Sequence, residues 1–216
     1  MNKPSRMLEW LVWGGLGITV LVIVLAFGLS SSRTQQPKLP ILFPVPDFTL
    51  TNQLGQPFGL SNLLGHVWVA NIIFTKCGGP CPRSSARMAE LQAALPPGSG
   101  VKLVTLTTDP EYDTPAILHA YSRRFQAQSD RWHFLTGIKR QIAEVAVRGL
   151  KMTALDKEPA QMESATDLFI HSTILVVVDK RGQVRASIET EPGEGEAPID
   201  VNGKVLPILD QLLQEP

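Results

Sequence analysis

The sequence predicts an α/β protein, a mixed central sheet with flanking helices, preceded by one membrane-spanning helix. Three observations carry this. Residues 10–29 contain no charge and are rich in Leu, Val, Ile and Gly. A second apolar run at 66–74 (HVWVANIIF) is short and nearly continuous, as a strand buried on both faces should be. Strand-like and helix-like stretches then alternate along the chain, the order that builds a sheet covered by helices.

The run at 10–29 is long enough to cross a hydrocarbon core of roughly 30 Å. Lys3 and Arg6 precede it, Glu9 partly offsets them and Arg33 follows, so the positive bias places the N-terminus in the cytoplasm and the rest of the chain outside. The run exceeds the about 7–15 apolar residues of a signal peptide and no A-x-A-like site follows Leu29, so retention is expected rather than cleavage. Too few residues precede it for an amphipathic transit peptide, which points to a bacterial cytoplasmic membrane with the domain in the periplasm. The expected organisation is a cytoplasmic stub and anchor over 1–33, a Pro-rich linker over 34–46 and one globular domain over 47–216.

In the linker, Pro37, Pro40, Pro44 and Pro46 favour an extended tether. Residues 48–50 and 57–60, separated by Asn52-Gln53-Leu54-Gly55, read as a hairpin. After the strand at 66–74 come a turn at 77–82 and a helix over 83–95, with Ala86, Met88, Leu91 and Leu95 in period and Pro96-Pro97-Gly98 as the stop. VKLVTLT at 101–107 is the next strand and completes a βαβ unit. Asp113 is placed to cap a helix over 114–125 with Pro115 in its first turn, and 138–147 repeats apolar residues at Ile138, Ile142, Val145 and Ala146. Residues 151–167 are polar and loop-like. HSTILVVVD at 171–179, a turn at Lys180-Arg181-Gly182 and a strand at 184–188 make a closing hairpin. A last helix covers 206–213, with Pro207 near its start.

Lys and Arg number 20, as do Asp and Glu, so there is no basic field to hold a nucleic acid. The only two cysteines, Cys77 and Cys81, lie four positions apart, a local pair rather than a disulfide framework. They follow the buried strand and enter the next helix, where unpaired N–H groups favour an anion, so at least one thiol is expected to be unusually acidic. The thiolate both attacks disulfides and binds metal. The C-x-x-x-C spacing permits either a disulfide or a shared metal ion after small adjustment. Gly78 and Gly79 loosen the turn, whereas Pro80 and Pro82 suit a helix start. Two buried cysteines acting as small apolar side chains are the bland alternative.

The order of elements resembles that of the thioredoxin fold. In that fold a cis proline faces the active-site cysteines from the loop ahead of the neighbouring strand. Here that loop reads Phe169-Ile170-His171-Ser172-Thr173, and His171 takes the proline's place as a possible nitrogen ligand. A histidine merely hydrogen-bonded at a strand start is the alternative.

FTKCGGPCP after an apolar strand, TTDPEYDTPAILHAYSRRF, WHFLTG followed by QIAEVA, and FIHSTILVVVDKRGQV together resemble the Sco/SenC family of copper-binding assembly proteins over nearly the whole exported part. The resemblance implies copper bound by Cys77, Cys81 and His171. It also implies a role in delivering copper to the copper A subunit of cytochrome c oxidase or in reducing its cysteines beforehand, with other periplasmic copper chaperones or thiol reductases as further partners. The chain departs from the family pattern at Gly78-Gly79-Pro80, where an acidic residue is common, and at Ile170, where Asp often precedes the histidine and here Asp167 is further back.

Two thiolates and an imidazole suit Cu(I), while Cu(II) would need an added oxygen or water. Zinc would want a fourth ligand in a closed site. His66, His119 and His133 are the remaining histidines and are read as solvated or core residues rather than ligands. Met152 and Met162 are expected to fill gaps over the core, with transient copper transfer as the alternative. Glu189, Glu191, Glu194 and Glu196 are expected to form a solvated acidic loop. Two functions outside copper delivery stay open: a membrane-anchored thiol-disulfide reductase using Cys77 and Cys81, and an interaction domain with an inactive site.

Overall fold

The computed structural model describes residues 6–31, 38–152, 154–156, 169–171, 173–192 and 199–215, with side chains at 10–11 and 13–25 of the first helix and none at 154–156 or 169–171. The chain divides into two compact units, residues 1–38 and 39–216. In the first, α1 (Arg6–Ser31) is a helix of 26 residues. Its described apolar side chains, Trp10, Trp13, Ile18 and Val22 among them, are exposed. Among the described residues no helix is long and apolar enough to cross a membrane.

The second unit contains, in chain order, β1 (Phe43–Pro44), β2 (Thr49–Asn52), β3 (Pro57–Gly59), β4 (Trp68–Ile73), α2 (Pro80–Ala94), β5 (Lys102–Thr107), α3 (Pro115–Arg124), β6 (Trp132–Thr136) and α4 (Lys139–Ala143), which runs into a π-helical segment (Glu144–Gly149). β7 (Ala154–Asp156), β8 (Phe169–His171), β9 (Ile174–Val178), β10 (Gln183–Glu189) and α5 (Val201–Gln214) follow. Eight strands form one sheet in the order β1-β10-β9-β4-β5-β6-β2-β3, and β7 pairs with β8 in a separate ribbon. β4, β5 and β6 are parallel neighbours, while β9 runs antiparallel to β4 and places its beginning beside the end of β4.

The apolar run of β4 is buried at all six positions because the sheet carries a core on each face. Val69, Ile73, Leu103, Phe134 and Val177 point to the side covered by Met88 and Leu91 of α2, Leu118 of α3 and Leu209 of α5. Trp68, Ala70, Ile72, Val104 and Val178 point to the other, against Phe58, Ile142 and Val145. A polar chain crosses the first core: Asn71 Nδ2 donates to Ser84 Oγ (2.9 Å), Thr105 Oγ1 to Asn71 Oδ1 (2.7 Å) and Trp132 Nε1 to Thr105 Oγ1 (2.8 Å).

Several expectations are corrected. The sequence pattern does not announce β6; its five residues are all buried, and its mixture of aromatic residues with a histidine hides the strand signal. Thr114, not Asp113, caps α3, accepting from Ile117 N, because the Asp113 carboxylate is buried and otherwise engaged. α5 begins at Val201, so Pro207 lies inside it; the Asp200 carboxylate accepts from Gly203 N (2.9 Å) and nucleates the helix earlier. A Cβ at Gly203 would meet that carboxylate. The 151–167 stretch contains β7, while Met152 is buried in the second core, in keeping with the gap-filling role expected of it and not with an exposed copper relay. Met162 lies outside the described residues. Residues 39–46 are packed rather than tethering: β1 pairs with β10, Val45 is buried, and the Arg185 guanidinium donates to the carbonyls of Leu39 (2.7 Å) and Pro40 (3.0 Å) while pairing with Asp179 and Glu215.

His133 in β6 stacks on Phe58 with ring centroids 4.1 Å apart, and its buried Nδ1 has no hydrogen-bond partner. Burial, helped by nearby Lys102 and opposed by Asp130, lowers its pKa from 6.5 to about 4. The unfolded chain therefore takes up this proton first, so the neutral ring's contribution to stability is complete above about pH 6.5 and is lost as pH falls towards 4. The thermal midpoint of His133→Phe is expected to drop less than that of the native chain between about pH 7 and pH 4.5. Parallel declines in the two proteins would contradict this.

Candidate metal centre

β4 ends at Ile73 and the chain turns through 74–79 before Pro80 opens α2. Proline suits a first helical position because it has no N–H to leave unpaired. The next amide, that of Cys81, points back and donates to Cys77 Sγ at 3.4 Å. The turn is held by Cys77 N donating to Phe74 O (3.2 Å) and by Thr75, whose backbone N–H and hydroxyl both donate to the Asp113 carboxylate. Beyond the turn, Ser84 Oγ on α2 accepts from Asn71 of β4. Ser84 lies one turn after Cys81, so this bond aligns the Cys81 face of the helix with the sheet.

Both cysteines are thiols with no disulfide between them. Cys77 is 8% exposed and Cys81 1%. The Cys81 thiol is in hydrogen-bond contact with Cys77, and that contact, followed by burial, pushes its pKa well above the ordinary thiol range. Of the pair expected to include at least one unusually acidic thiol, Cys81 is therefore not that one. The helix-start amide that would stabilise an anion is aimed at Cys77 Sγ instead. Two sulfurs in contact in an apolar surrounding hold a proton that a soft cation can replace, since metal binding to thiols releases protons. This donor pair fits a copper ion.

His171 ends β8, with its backbone paired to Ala154 of β7. β9 starts three residues later, at the end of the sheet where β4 releases the cysteine turn. The connection from His171 to β9 leads to that sheet end, and the His171 side chain lies outside the described residues. Among the described residues no three His, Cys, Asp or Glu side chains converge on a metal position. The other histidines lie elsewhere: His66 Nδ1 is 3.0 Å from Gly100 O ahead of β4, His119 is exposed on α3, and His133 packs in the second core side against Phe58. Glu191 pairs with exposed Arg83 at 3.0 Å, while Glu194 and Glu196 lie outside the described residues.

The model of the SCO1/SenC family matches residues 43–203, a span that includes the cysteine turn, β8 and the whole sheet. The chain belongs to the SCO1/SenC family. A SCO1 protein homolog of Bacillus subtilis is 34% identical over 170 residues, covering 78% of this chain and 84% of that protein. A protein of Stutzerimonas stutzeri named for copper binding is 30% identical over 177 residues, 80% of each. The solved structure of BsSco, described as a member of the Sco family of cytochrome c oxidase assembly proteins, superposes with a TM-score of 0.67 at 28% identity, covering 84% of this chain and all of that one.

Within the Sco sheet, the cysteine turn has neighbours that the sequence reading missed. Tyr121 of α3 hydrogen-bonds Ser85 at 3.0 Å, and its phenol pKa is raised by burial, with the charges of Cys81 and Cys77 adding to the effect. Lys76 lies over the Tyr112 ring at 3.5 Å from the centroid. Asp113 was read only as a cap. In the folded reduced protein, iodoacetamide is expected to modify Cys77 at least about tenfold faster than Cys81, because Cys81 is the more deeply buried and its thiol keeps its proton. Peptide mapping by mass spectrometry at short reaction times checks this, and equal or reversed labelling would contradict it.

Proposed function

We propose that this chain binds copper through Cys77, Cys81 and His171 and serves the assembly of cytochrome c oxidase, presenting copper to the oxidase's copper A subunit. The observation that carries the reading is the contact of two buried thiols, one in the turn before α2 and one in its first turn. Relatives named for copper binding and for oxidase assembly support the metal and the pathway. Thiolates supply soft, charged donors, and an imidazole completes a three-coordinate Cu(I) environment. Removal of either cysteine loses charge compensation as well as a ligand, so Cys77→Ser and Cys81→Ser should weaken Cu(I) binding more than His171→Ala does.

The uncharged run within α1 is long enough to serve as a retained anchor, with residues 1–33 as stub and anchor and the unit that starts at Leu39 as the periplasmic domain. A reporter active only outside the cytoplasm, fused after Pro46, is expected to be active and to fractionate with membranes. Activity confined to the cytoplasm, or a shortened soluble product, would overturn this arrangement.

A second reading, a thiol-disulfide reductase, is favoured by the same contact between the reduced thiols, because one sulfur can attack the other's mixed disulfide. The His171→Ala strain separates the two. If copper delivery is the function, that strain loses assembled oxidase much as a Cys77→Ser strain does, and added copper partly restores both. Full oxidase absorbance in the His171→Ala strain under copper limitation, with rescue of Cys77→Ser by a thiol reductant instead of copper, would establish the reductase in its place.

A further inference from the structure

Asp113 is fully buried, yet it lies outside the set of proposed copper ligands. One carboxylate oxygen accepts from the Thr75 hydroxyl; the other accepts from Thr75 N at 3.1 Å and from the Thr107 hydroxyl at 2.5 Å. Thr107 is the last residue of β5, and its hydroxyl also accepts from Asp109 N at 3.0 Å. Asp113 N in turn donates to Asp109 O at 2.8 Å. The carboxylate therefore ties a residue two places before Cys77 to the end of the neighbouring strand. Regular pairing of β4 with β5 ends at Ile73 and Thr107, so this tie acts where the ladder has stopped. A buried carboxylate is costly unless its hydrogen bonds are complete, which makes the three-donor arrangement a stiff one.

We propose that Asp113 is the positioning residue of the dithiol: by clamping Thr75 to the end of β5 it fixes Cys77 opposite Cys81 and sets the effective concentration of one sulfur at the other. The inference rests on Cys77 and Cys81 being the working pair. Loss of the clamp lets the turn sample more conformations, and the equilibrium for closing the pair falls in proportion. Thr107 belongs to the same clamp, although it is thirty positions from Cys77 in sequence and carries no charge.

Exchange with glutathione reads this quantity without metal. Cys77 and Cys81 give up two protons and two electrons, one S–S bond forms between them, and glutathione disulfide is cleaved into two glutathione thiols. In the full-length chain, Asp113→Asn and Thr107→Val should each lower the equilibrium constant about tenfold, a potential less negative by about 30 mV. His133→Phe, which perturbs the opposite core, should leave it unchanged. Cu(I) affinity, measured by competition with a chromophoric chelator, should fall in the same two variants. Should Asp113→Asn fail to fold, Thr107→Val decides alone. Constants within about twofold of the native value in the folded variants would overturn the inference, as would a shift in Asp113→Asn without one in Thr107→Val, which would assign the effect to charge rather than to the clamp. A native chain that binds no copper while the exchange constants shift would remove the copper reading and leave the clamp standing.

Discussion

The site depends on one buried amide. Asn71 is the polar residue on the α2-facing side of β4, and both ends of its side chain are committed, to Ser84 on α2 and to Thr105 on β5. An unpaired amide at 0% exposure would cost a few kcal/mol, so α2 has a strongly preferred register against the sheet. Apolar contacts from Met88 and Leu91 supply most of the adhesion, but they would tolerate a slide that the Asn71–Ser84 bond does not. Since Cys81 lies one turn before Ser84, the register of the helix is also the register of its sulfur.

Cys77 is placed by a different device. It belongs to the turn, where strand pairing has ended, and its position follows from Pro80 at the helix start, the Cys81 amide aimed at its sulfur and the Asp113 bonds to Thr75. One sulfur is thus fixed by helix docking and the other by the turn, and they meet in an apolar surrounding. There the hydrogen-bond contact with Cys77 and burial keep the proton on Cys81, and the repulsion between two thiolates adds to both. A cation of soft character relieves that repulsion, so the feature that disfavours the bare dithiolate favours the metal-bound one.

Much of this was legible in the sequence. The nearly continuous apolar run of β4, the Gly and Pro around the cysteines, and the β9–β10 hairpin could be read from local pattern, because burial on both faces and turn chemistry leave local marks. Asp113 could not be read correctly: an aspartate before Thr-Pro is also a helix-capping pattern, and its actual partner, Thr75, is 38 positions away. β6 was missed because WHFLT is short and its histidine interrupts the apolar run, while its burial comes from the neighbours β5 and β2. Met152 was legible as a residue that fills a gap over the core, whereas the core it enters, assembled from Ile142, Val145 and distant strands, was not. His171 drew its weight from family resemblance, since a single histidine at a strand start carries no local sign of its role.

In the proposed centre the two sulfurs, placed by separate devices, act together on one copper ion with His171 as the third donor. X-ray absorption at the copper edge of the full-length chain loaded with one equivalent of Cu(I) tests this most directly. The account predicts two sulfur neighbours and one nitrogen, with the nitrogen lost in His171→Ala and both sulfurs retained. A first shell containing fewer than two sulfurs in the native chain would contradict it.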